Sequence, residues 1–269
     1  MYKIGWFSTG RGAGSRALLT TIHQSIARGE IRADLAFVFC NRERGQTPET
    51  DSFLDLVESF GIPLVCLSSG KFKQKVGAAS IEVCRLDYDR EAMKLLEGFD
   101  PDLCVLAGYM LVIGKEMCRR YNMVNLHPAL PGGPAGTWRE VIWQLIKEKA
   151  QETGAMMHLV TPELDKGPPV TYCRFPISGG SFDRYWKQIE GLSIDRVKSH
   201  QGESNLLFRL IREEGVKREQ PLIAATIRAF SEGRVRIRDG KPVDAEGNMV
   251  GACSLTDEIE ELLKKTRSA

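Results

Sequence analysis

Short apolar runs alternate with amphipathic segments through the first half of the chain. Apolar runs suited to strands lie at residues 2–8, 35–40, 63–67, 103–107 and 123–126. Helical periodicity lies between them, at residues 16–28, 52–60 and 88–98. The run LAFVFC at 35–40 is apolar throughout, as expected of a strand covered on both faces. This alternation predicts a Rossmann-like α/β fold, with an open, mostly parallel twisted sheet and helices on both faces.

The second half of the chain begins with a break in this pattern. Residues 128–136 (PALPGGPAG) hold too much proline and glycine for regular structure. Beyond them we predict helices at 138–152, 182–198, 204–212 and 221–231, strands at 155–161 and 170–176, and short hairpin strands within 233–250. Residues 254–257 resemble a capping box that opens a last, charged helix to about residue 265. We therefore predict a main domain at 1–238 with a helical insertion at 178–215, and a small C-terminal hairpin and helix extension at 239–269.

Composition narrows the class of protein without indicating one activity. The 269 residues carry a net charge of +2, which is too balanced to indicate a nucleic-acid partner. Seven cysteines are scattered without a C-x-x-C pair, as in a reducing compartment. No leader pattern opens the sequence, and no stretch approaches the roughly 18 apolar residues of a membrane span. We expect a cytoplasmic protein without a membrane or nucleic-acid partner, and a homodimer stays open.

A glycine-rich turn follows the first predicted strand. Residues 9–15 read TGRGAGS and lead into the first helix. A strand, a glycine-rich turn and a helix N-terminus together favour an anion, and Arg11 or Arg16 can add charge. The spacing is neither G-x-G-x-x-G nor a P-loop, so a plain tight turn stays an alternative. A nicotinamide oxidoreductase is disfavoured, because Asn41 and Arg42 follow the second strand where an acidic residue is needed.

Asn125 and His127 carry the most specific chemistry in the sequence. Alternation along a strand points both side chains to one face, where the strand meets the proline- and glycine-rich loop. Ligands of open α/β sheets bind at the carboxyl ends of strands. The amide can donate to a developing oxyanion, and the imidazole can transfer protons near neutral pH. Asp165, between two predicted strands, is suited to orient His127, although each of these residues is also compatible with a structural role.

Two motifs resemble those of the 10-formyltetrahydrofolate-dependent formyltransferases. The stretch Asn125-Leu-His127-Pro, followed by Leu-Pro and a glycine-rich loop, resembles the family signature N-x-H-P-S-L-L-P. Residues 158–167 (HLVTPELDKG) resemble the second motif, which ends in D-x-G. Residues 106–110 (LAGYM) and 219–235 resemble segments of the branch that acts on glycinamide ribonucleotide. The resemblance covers about residues 1–238.

The resemblance implies a role for each matching residue. The implied catalytic residues are Asn125, His127 and Asp165. The expected phosphate and acceptor contacts are Gly12, Gly14, Ser15, Arg16 and Glu219. The expected folate contacts are Met110, Leu111, Ile113, Thr161 and Leu164. The implied activity of this formyltransferase catalytic domain is metal-free formyl transfer from 10-formyltetrahydrofolate, the co-substrate, to the amine of glycinamide ribonucleotide in purine biosynthesis.

The sequence departs from the family at positions that bear on the acceptor. The first loop is longer than the usual G-x-G-S-N and ends in Arg16, Leu111 stands where a polar or basic residue is common, and the loop at 131–136 lacks a second leucine. A methionyl-tRNA acceptor is disfavoured, because only about 30 residues follow the core. An amino sugar nucleotide as acceptor, or a folate- or nucleotide-binding homologue without catalysis, stays open.

Overall fold

A computed structural model describes residues 1–249 and 251–268, with the backbone alone for 266–268. Val250 and Ala269, at the ends of two predicted segments, lie outside the described residues. The strands are β1 (Tyr2–Ser8), β2 (Ala33–Cys40), β3 (Leu64–Cys66), β4 (Leu103–Leu106), β5 (Met123–His127), β6 (Glu152–Leu159), β7 (Pro169–Pro176), β8 (Arg236–Arg238), β9 (Lys241–Val243) and β10 (Cys253–Ser254). The helices are α1 (Ala13–Ala27), α2 (Pro48–Ser59), α3 (Ser69–Lys75), α4 (Arg85–Leu95), α5 (Lys115–Arg120), α6 (Trp138–Lys147), α7 (Asp183–Ile189), α8 (Ile194–Gln201), α9 (Leu206–Ser231) and α10 (Thr256–Ser268), with a short 3₁₀ turn at Gly202–Ser204.

One sheet of the described chain contains eight strands, in the order β10-β7-β6-β5-β4-β1-β2-β3. The strands β1 to β5 pair in parallel, whereas β6 runs antiparallel to both β5 and β7. The predicted mostly parallel sheet is therefore confirmed. Because β1, β4 and β5 are neighbours in this order, the loops after their carboxyl ends meet at one edge of the sheet.

The core lies on both faces of this sheet. Trp6 and Phe7 are adjacent in β1, point to opposite faces and are both fully buried. Trp6 packs in a cluster with residues of α1, α2 and α9, and Phe7 packs in another with residues of α4 and α5. Covering helices on both faces explain why the central strands are apolar throughout. A third cluster joins α6 to α7, α8 and the start of α9, and includes Trp143 and Phe208.

Several helix boundaries differ from the sequence predictions. Residues 206–231 form the single helix α9, with Pro221 inside it, whereas the sequence pattern predicts two helices, at 204–212 and 221–231. That prediction was wrong, because fully buried packing of Leu222 and Ile223 outweighs the hydrogen bond that proline removes. The predicted helix at 182–198 is divided into α7 and α8 at Gly191, which has a φ of 73°. Helices α1 and α2 begin earlier than predicted, α6 ends earlier, and α3 and α5 were not predicted.

The C-terminal segment is attached to the main sheet. The predicted hairpin forms between β8 and β9, with Asp239 and Gly240 at φ values of 51° and 69°, as a type I′ turn requires. Strand β10 pairs with β7, and α10 packs on α9, where Arg218 Nε donates to Glu260 over 2.7 Å. The predicted boundary between 238 and 239 falls inside the hairpin, so the division into two folding units stays a prediction. The described helices include none that is long and apolar enough to cross a membrane.

Candidate active site

Asn125 and His127 lie at the carboxyl end of β5, near the middle of the sheet. The antiparallel neighbour β6 places His158 opposite Asn125, with 3.1 Å between Asn125 Nδ2 and His158 Nε2. His158 Nδ1 lies 2.9 Å from the Leu159 carbonyl oxygen, which can only accept, so Nδ1 carries the proton. In the neutral ring Nε2 is then the acceptor, and the Asn125 amide donates to it. The tautomer of His158 therefore orients the Asn125 side chain.

His127 is buried and is held on two sides. Its Nε2 donates to the Pro134 carbonyl oxygen over 2.8 Å, and its Nδ1 faces Asp165 Oδ2 at 3.6 Å. With the proton on Nε2, the Nδ1 of the neutral ring is an acceptor, whereas an imidazolium donates from both nitrogens. His127 is thus placed to gain and lose a proton on the side that faces Asp165.

The Asp165 carboxylate lies between the two imidazoles. Its Oδ2 accepts from the Gly136 N–H over 3.0 Å, and its Oδ1 lies 3.6 Å from His158 Nε2. Burial acts to raise the pKa of Asp165, but the adjacent His158, the hydrogen bond from the Gly136 N–H and the adjacent His127 outweigh it, so the pKa lies below its ordinary value. The carboxylate is therefore charged at neutral pH. Asp165 has a φ of 54°, in the left-handed region that aspartate adopts more readily than most residues.

Gly167 leaves room for the loop that carries Asp165. A Cβ atom at Gly167 would lie 1.6 Å from the Leu159 carbonyl oxygen and 3.3 Å from His158 Nδ1. A side chain does not fit at this distance, so the D-x-G sequence has a steric cause.

The glycine-rich turn lies beside the same edge of the sheet. Gly12 directly precedes α1, and Gly14, Ser15 and Arg16 already belong to the first turns of that helix. The first N–H groups of a helix have no partner within it, and they suit an anion. Arg16 Nη1 donates to the Glu49 carbonyl oxygen over 3.5 Å, so its guanidinium leans towards the start of α2.

The loop after β4 passes next to this turn. The Thr9 N–H donates to the Gly108 carbonyl oxygen over 3.1 Å, and the Met110 N–H donates to Thr9 Oγ1 over 2.9 Å. Gly108 has a φ of 70°, and a Cβ atom there would lie 3.1 Å from Ser15 Oγ. The phosphate and folate segments expected from the sequence therefore touch each other.

The five expected folate contacts differ in exposure. Met110 and Leu164 are 50% and 55% exposed, and Leu111 and Thr161 are partly buried. Ile113 is 1% exposed and packs in the core cluster beneath the loop, so a ligand contact there falls to its backbone. These placements leave the exposed apolar side chains as the ones that a ligand can cover.

Glu219 lies on α9, where Arg212 Nη1 donates to its Oε1 over 2.5 Å. The next residue, Gln220, accepts from Thr21 Oγ1 of α1 over 3.0 Å. This part of α9 is thus beside the helix that follows the glycine-rich turn. One carboxylate oxygen of Glu219 already accepts a hydrogen bond from Arg212. The contact that we expect between Glu219 and the acceptor substrate stays a prediction.

Three groups of the site were not identified from the sequence. His158 was recognised only as part of a motif, although a histidine in the middle of the strand predicted at 155–161 was a usable signal. The Pro134 carbonyl and the Gly136 N–H are backbone groups in an irregular loop, for which the sequence carries no signal beyond its proline and glycine content. Among residues 1–249 and 251–268, no cluster of three or more His, Cys, Asp or Glu residues is suited to hold a metal ion.

The fold and the site define a class of protein. An oriented amide, a buried imidazole and a charged carboxylate meet at the carboxyl edge of an α/β sheet, and a helix N-terminus lies at the same edge. Such groups can stabilise an oxyanion and transfer protons next to a bound anion, which are the requirements of an enzyme for group transfer.

Comparison with known proteins identifies the family. Residues 9–181, well over half of the chain, match the family model described as formyl transferase, so this chain belongs to the formyl transferase family. The phosphoribosylglycinamide formyltransferase of Schizosaccharomyces pombe is 28% identical over 176 residues, which are 63% of this chain and 80% of that protein. The protein of the same name in Escherichia coli is 28% identical over 177 residues, or 64% and 72% of the two chains.

Solved structures show that the fold is shared. The phosphoribosylglycinamide formyltransferase of Coxiella burnetii matches 94% of this chain and 98% of its own, with a TM-score of 0.68 and 19% identity. The chain is thus a folate-dependent formyltransferase by family, which confirms the class that the two sequence motifs had indicated.

Proposed function

We propose that this enzyme transfers the formyl group of 10-formyltetrahydrofolate to the amine of glycinamide ribonucleotide, a step of purine biosynthesis. The observation that carries the proposal is the meeting of Asn125, His127 and Asp165 around His158, at the same edge of the sheet as the N-terminus of α1. The names of the two curated relatives support the same acceptor. The acceptor carries a phosphate and an amine, which match the helix N-terminus and the proton-transferring groups.

Each catalytic residue has a separate task in this proposal. The Asn125 amide has two N–H groups, and since His158 takes one, the other donates to the formyl oxygen as negative charge develops there. Protonated His127 stabilises the same charge, and Asp165 holds its ring in place. Asp165, directly or through an ordered water, accepts the proton that the attacking amine loses and returns it to the departing folate nitrogen. One carbon–nitrogen bond forms and another breaks, without a metal or a redox change.

Two surfaces receive the substrates. The N–H groups at Gly12, Gly14 and Ser15 are suited to the acceptor phosphate, with Arg16 as an adjacent charge and Glu219 as the ribose contact. Met110 and Leu164 offer exposed apolar side chains for the ring system of the folate, with Leu111, Ile113 and Thr161 behind them. The acceptor and donor surfaces adjoin each other where Gly108 passes Ser15.

A direct assay tests this function. Purified enzyme with 10-formyltetrahydrofolate is followed by the absorbance of the deformylated folate, with glycinamide ribonucleotide, with an amino sugar nucleotide, or with no acceptor. Of these three arms, we expect turnover only in the one with glycinamide ribonucleotide, and Asn125→Ala should abolish most of that turnover. Turnover with the amino sugar nucleotide instead would overturn the acceptor, turnover without acceptor would indicate hydrolysis, and folate binding without turnover in any arm would indicate a non-catalytic homologue.

The same proposal includes the setting of the enzyme. We infer a cytoplasmic enzyme whose partners are small-molecule substrates, with no nucleic-acid partner and with the catalytic unit at residues 1–238. A homodimer is tested by sedimentation velocity, in which one species at the mass of a single chain would exclude it.

A further inference from the structure

Helix α6 starts directly behind the loop that holds the catalytic groups. The Pro134 carbonyl holds His127 and the Gly136 N–H holds Asp165, and Trp138 is the first helical residue after them. Thr137 is the N-cap of this helix and forms a capping box with Glu140, so the loop and the helix start are one rigid turn. A shift of the helix start is therefore transmitted to both catalytic side chains.

Trp138 lies against two guanidinium groups. The Cζ atoms of Arg139 and Arg212 lie 4.4 and 4.7 Å from the indole centroid, both within the range of a cation–π contact. The Phe208 ring packs beside the indole at 5.8 Å between centroids. Arg212 and Phe208 belong to α9, so the indole connects the start of α6 to that helix.

Further contacts come from the same helical segment. Arg139 pairs with Glu203 in the 3₁₀ turn, and Trp143 packs 5.0 Å from Phe208 between ring centroids. Glu219 pairs with Arg212 and so keeps its guanidinium in place over the indole. The insertion predicted from the sequence at 178–215 thus packs against the first two turns of α6. None of the proposed catalytic residues Asn125, His127 and Asp165 belongs to this insertion.

We propose that the stack of Arg212 on Trp138 is a positioning device for the active site, which clamps the start of α6 and thereby holds the Pro134 carbonyl against His127 and the Gly136 N–H against Asp165. Trp138 and Arg212 act through these backbone groups and are positioning residues. The kinetic test of this clamp rests on the proposed function, whereas its titration test does not.

The kinetic test compares Trp138→Leu with Trp138→Phe. The leucine variant removes the aromatic ring, and we expect kcat to fall on the order of 10-fold, because small displacements of catalytic groups are costly. A weaker bond from Gly136 leaves the pKa of Asp165 less depressed, so the acid limb of the kcat profile moves to higher pH. The phenylalanine variant keeps a π-face for Arg212 and should restore most of both properties.

Substitutions of Arg212 give a second test of the same stack, and a substitution of Arg184 is the control. Arg212→Gln should reproduce the leucine variant, and Arg212→Lys should recover only part of the activity, because a lysine lacks the planar stacking surface. Arg184→Gln is the matched control, since Arg184, on α7 of the same insertion, stacks 4.4 Å from the Tyr185 centroid and not on Trp138. We expect wild-type kinetics from this control.

The titration test needs no substrate. The chain has four histidines, so the ring resonances of His127 and His158 can be assigned and followed by NMR against pH in the free enzyme. Asp165 lies between the two rings, so its ionisation should shift the resonances of both histidines. The midpoint of that shift should move to higher pH in Trp138→Leu but not in Arg184→Gln.

The outcomes separate this inference from the proposed function. A wild-type enzyme that transfers no formyl group overturns the function, while the titration still decides the clamp. If the Asp165 midpoints in the NMR titration are unchanged in a folded Trp138→Leu variant, the proposed positioning role is wrong. It is also wrong if this variant loses kcat while the acid limb of its kcat–pH profile stays in place. If the leucine variant does not fold, Arg212→Gln, which changes a partly exposed side chain, decides the same comparison.

Discussion

Replacing Gly167 by alanine tests the steric basis of the loop that carries Asp165. The new Cβ atom would lie 1.6 Å from the oxygen and 2.7 Å from the carbon of the Leu159 carbonyl, which are backbone atoms that cannot rotate away. Relief requires the loop to separate from the end of β6, where the Leu159 N–H donates to the Pro168 carbonyl oxygen over 2.9 Å. Overpacking costs about 1–3 kcal/mol and a lost backbone hydrogen bond about 1 kcal/mol, so we expect a loss of roughly 2–4 kcal/mol in the free energy of unfolding.

The same substitution should reduce catalysis beyond its effect on stability. Displacement of the Leu159 carbonyl removes the acceptor that fixes the tautomer of His158, and with it the orientation of the Asn125 amide. Because loss of one oxyanion donor costs about 10²–10³ in rate, we expect kcat of folded Gly167→Ala to fall by about 10².

Urea denaturation measures the loss of stability in Gly167→Ala, and the formyl transfer assay measures the fall in its kcat. Gly70→Ala is the control, because Gly70 lies in α3 with its nearest heavy atom 3.8 Å from an added Cβ, and alanine should stabilise that helix by up to about 1 kcal/mol. A Gly167→Ala enzyme with wild-type stability and wild-type kcat would refute the steric argument.

Three further predictions concern other parts of the molecule. In the formyl transfer assay, Asn125→Ala should lower kcat by about 10²–10³ with little change in KM, and an unchanged kcat would exclude the proposed oxyanion contact. Burial raises the pKa of Asp89 to about 6, so the native state binds this proton more tightly than the unfolded chain does. The free energy of unfolding should therefore fall on the order of 2 kcal/mol as the pH rises from about 4 to about 6. Denaturation of Asp89→Asn across this pH range should lack that decline, and an identical decline would contradict the assignment. Arg218→Met removes a buried guanidinium that pairs with Glu260 of α10, and we expect a loss of roughly 1–3 kcal/mol and faster proteolysis of the C-terminal helix, whereas an unchanged Tm would show that the pair contributes little.

Much of the candidate site could be predicted because its signals are local. Asn125 and His127 share a face by strand alternation, and their strand ends in a loop that cannot be regular structure. Asp165 was found because a motif surrounds it. The partners of these side chains could not be found in this way, since the Pro134 carbonyl and the Gly136 N–H are backbone groups whose direction depends on the path of the loop.

The fold shows the same division at the level of helices. The central strands were predicted because burial on both faces leaves an uninterrupted apolar run. Helix α9 was misread because Gly215 and Pro221 are strong local signals for a break, and only the packing of that helix against α1 and the sheet shows that they are overridden.

The sequence by itself determined the mostly parallel sheet, and it predicted the edge of the sheet at which the candidate site lies and the residue types proposed to act there, because each follows from periodicity, composition or a motif within a few neighbouring residues. The tertiary structure alone decided which nitrogen of His158 carries the proton, how Asp165 is held between two imidazoles, and how the inserted helices reach the start of α6. These features depend on distances between residues that are far apart in the chain, and such distances exist only after the strands have paired and the helices have packed.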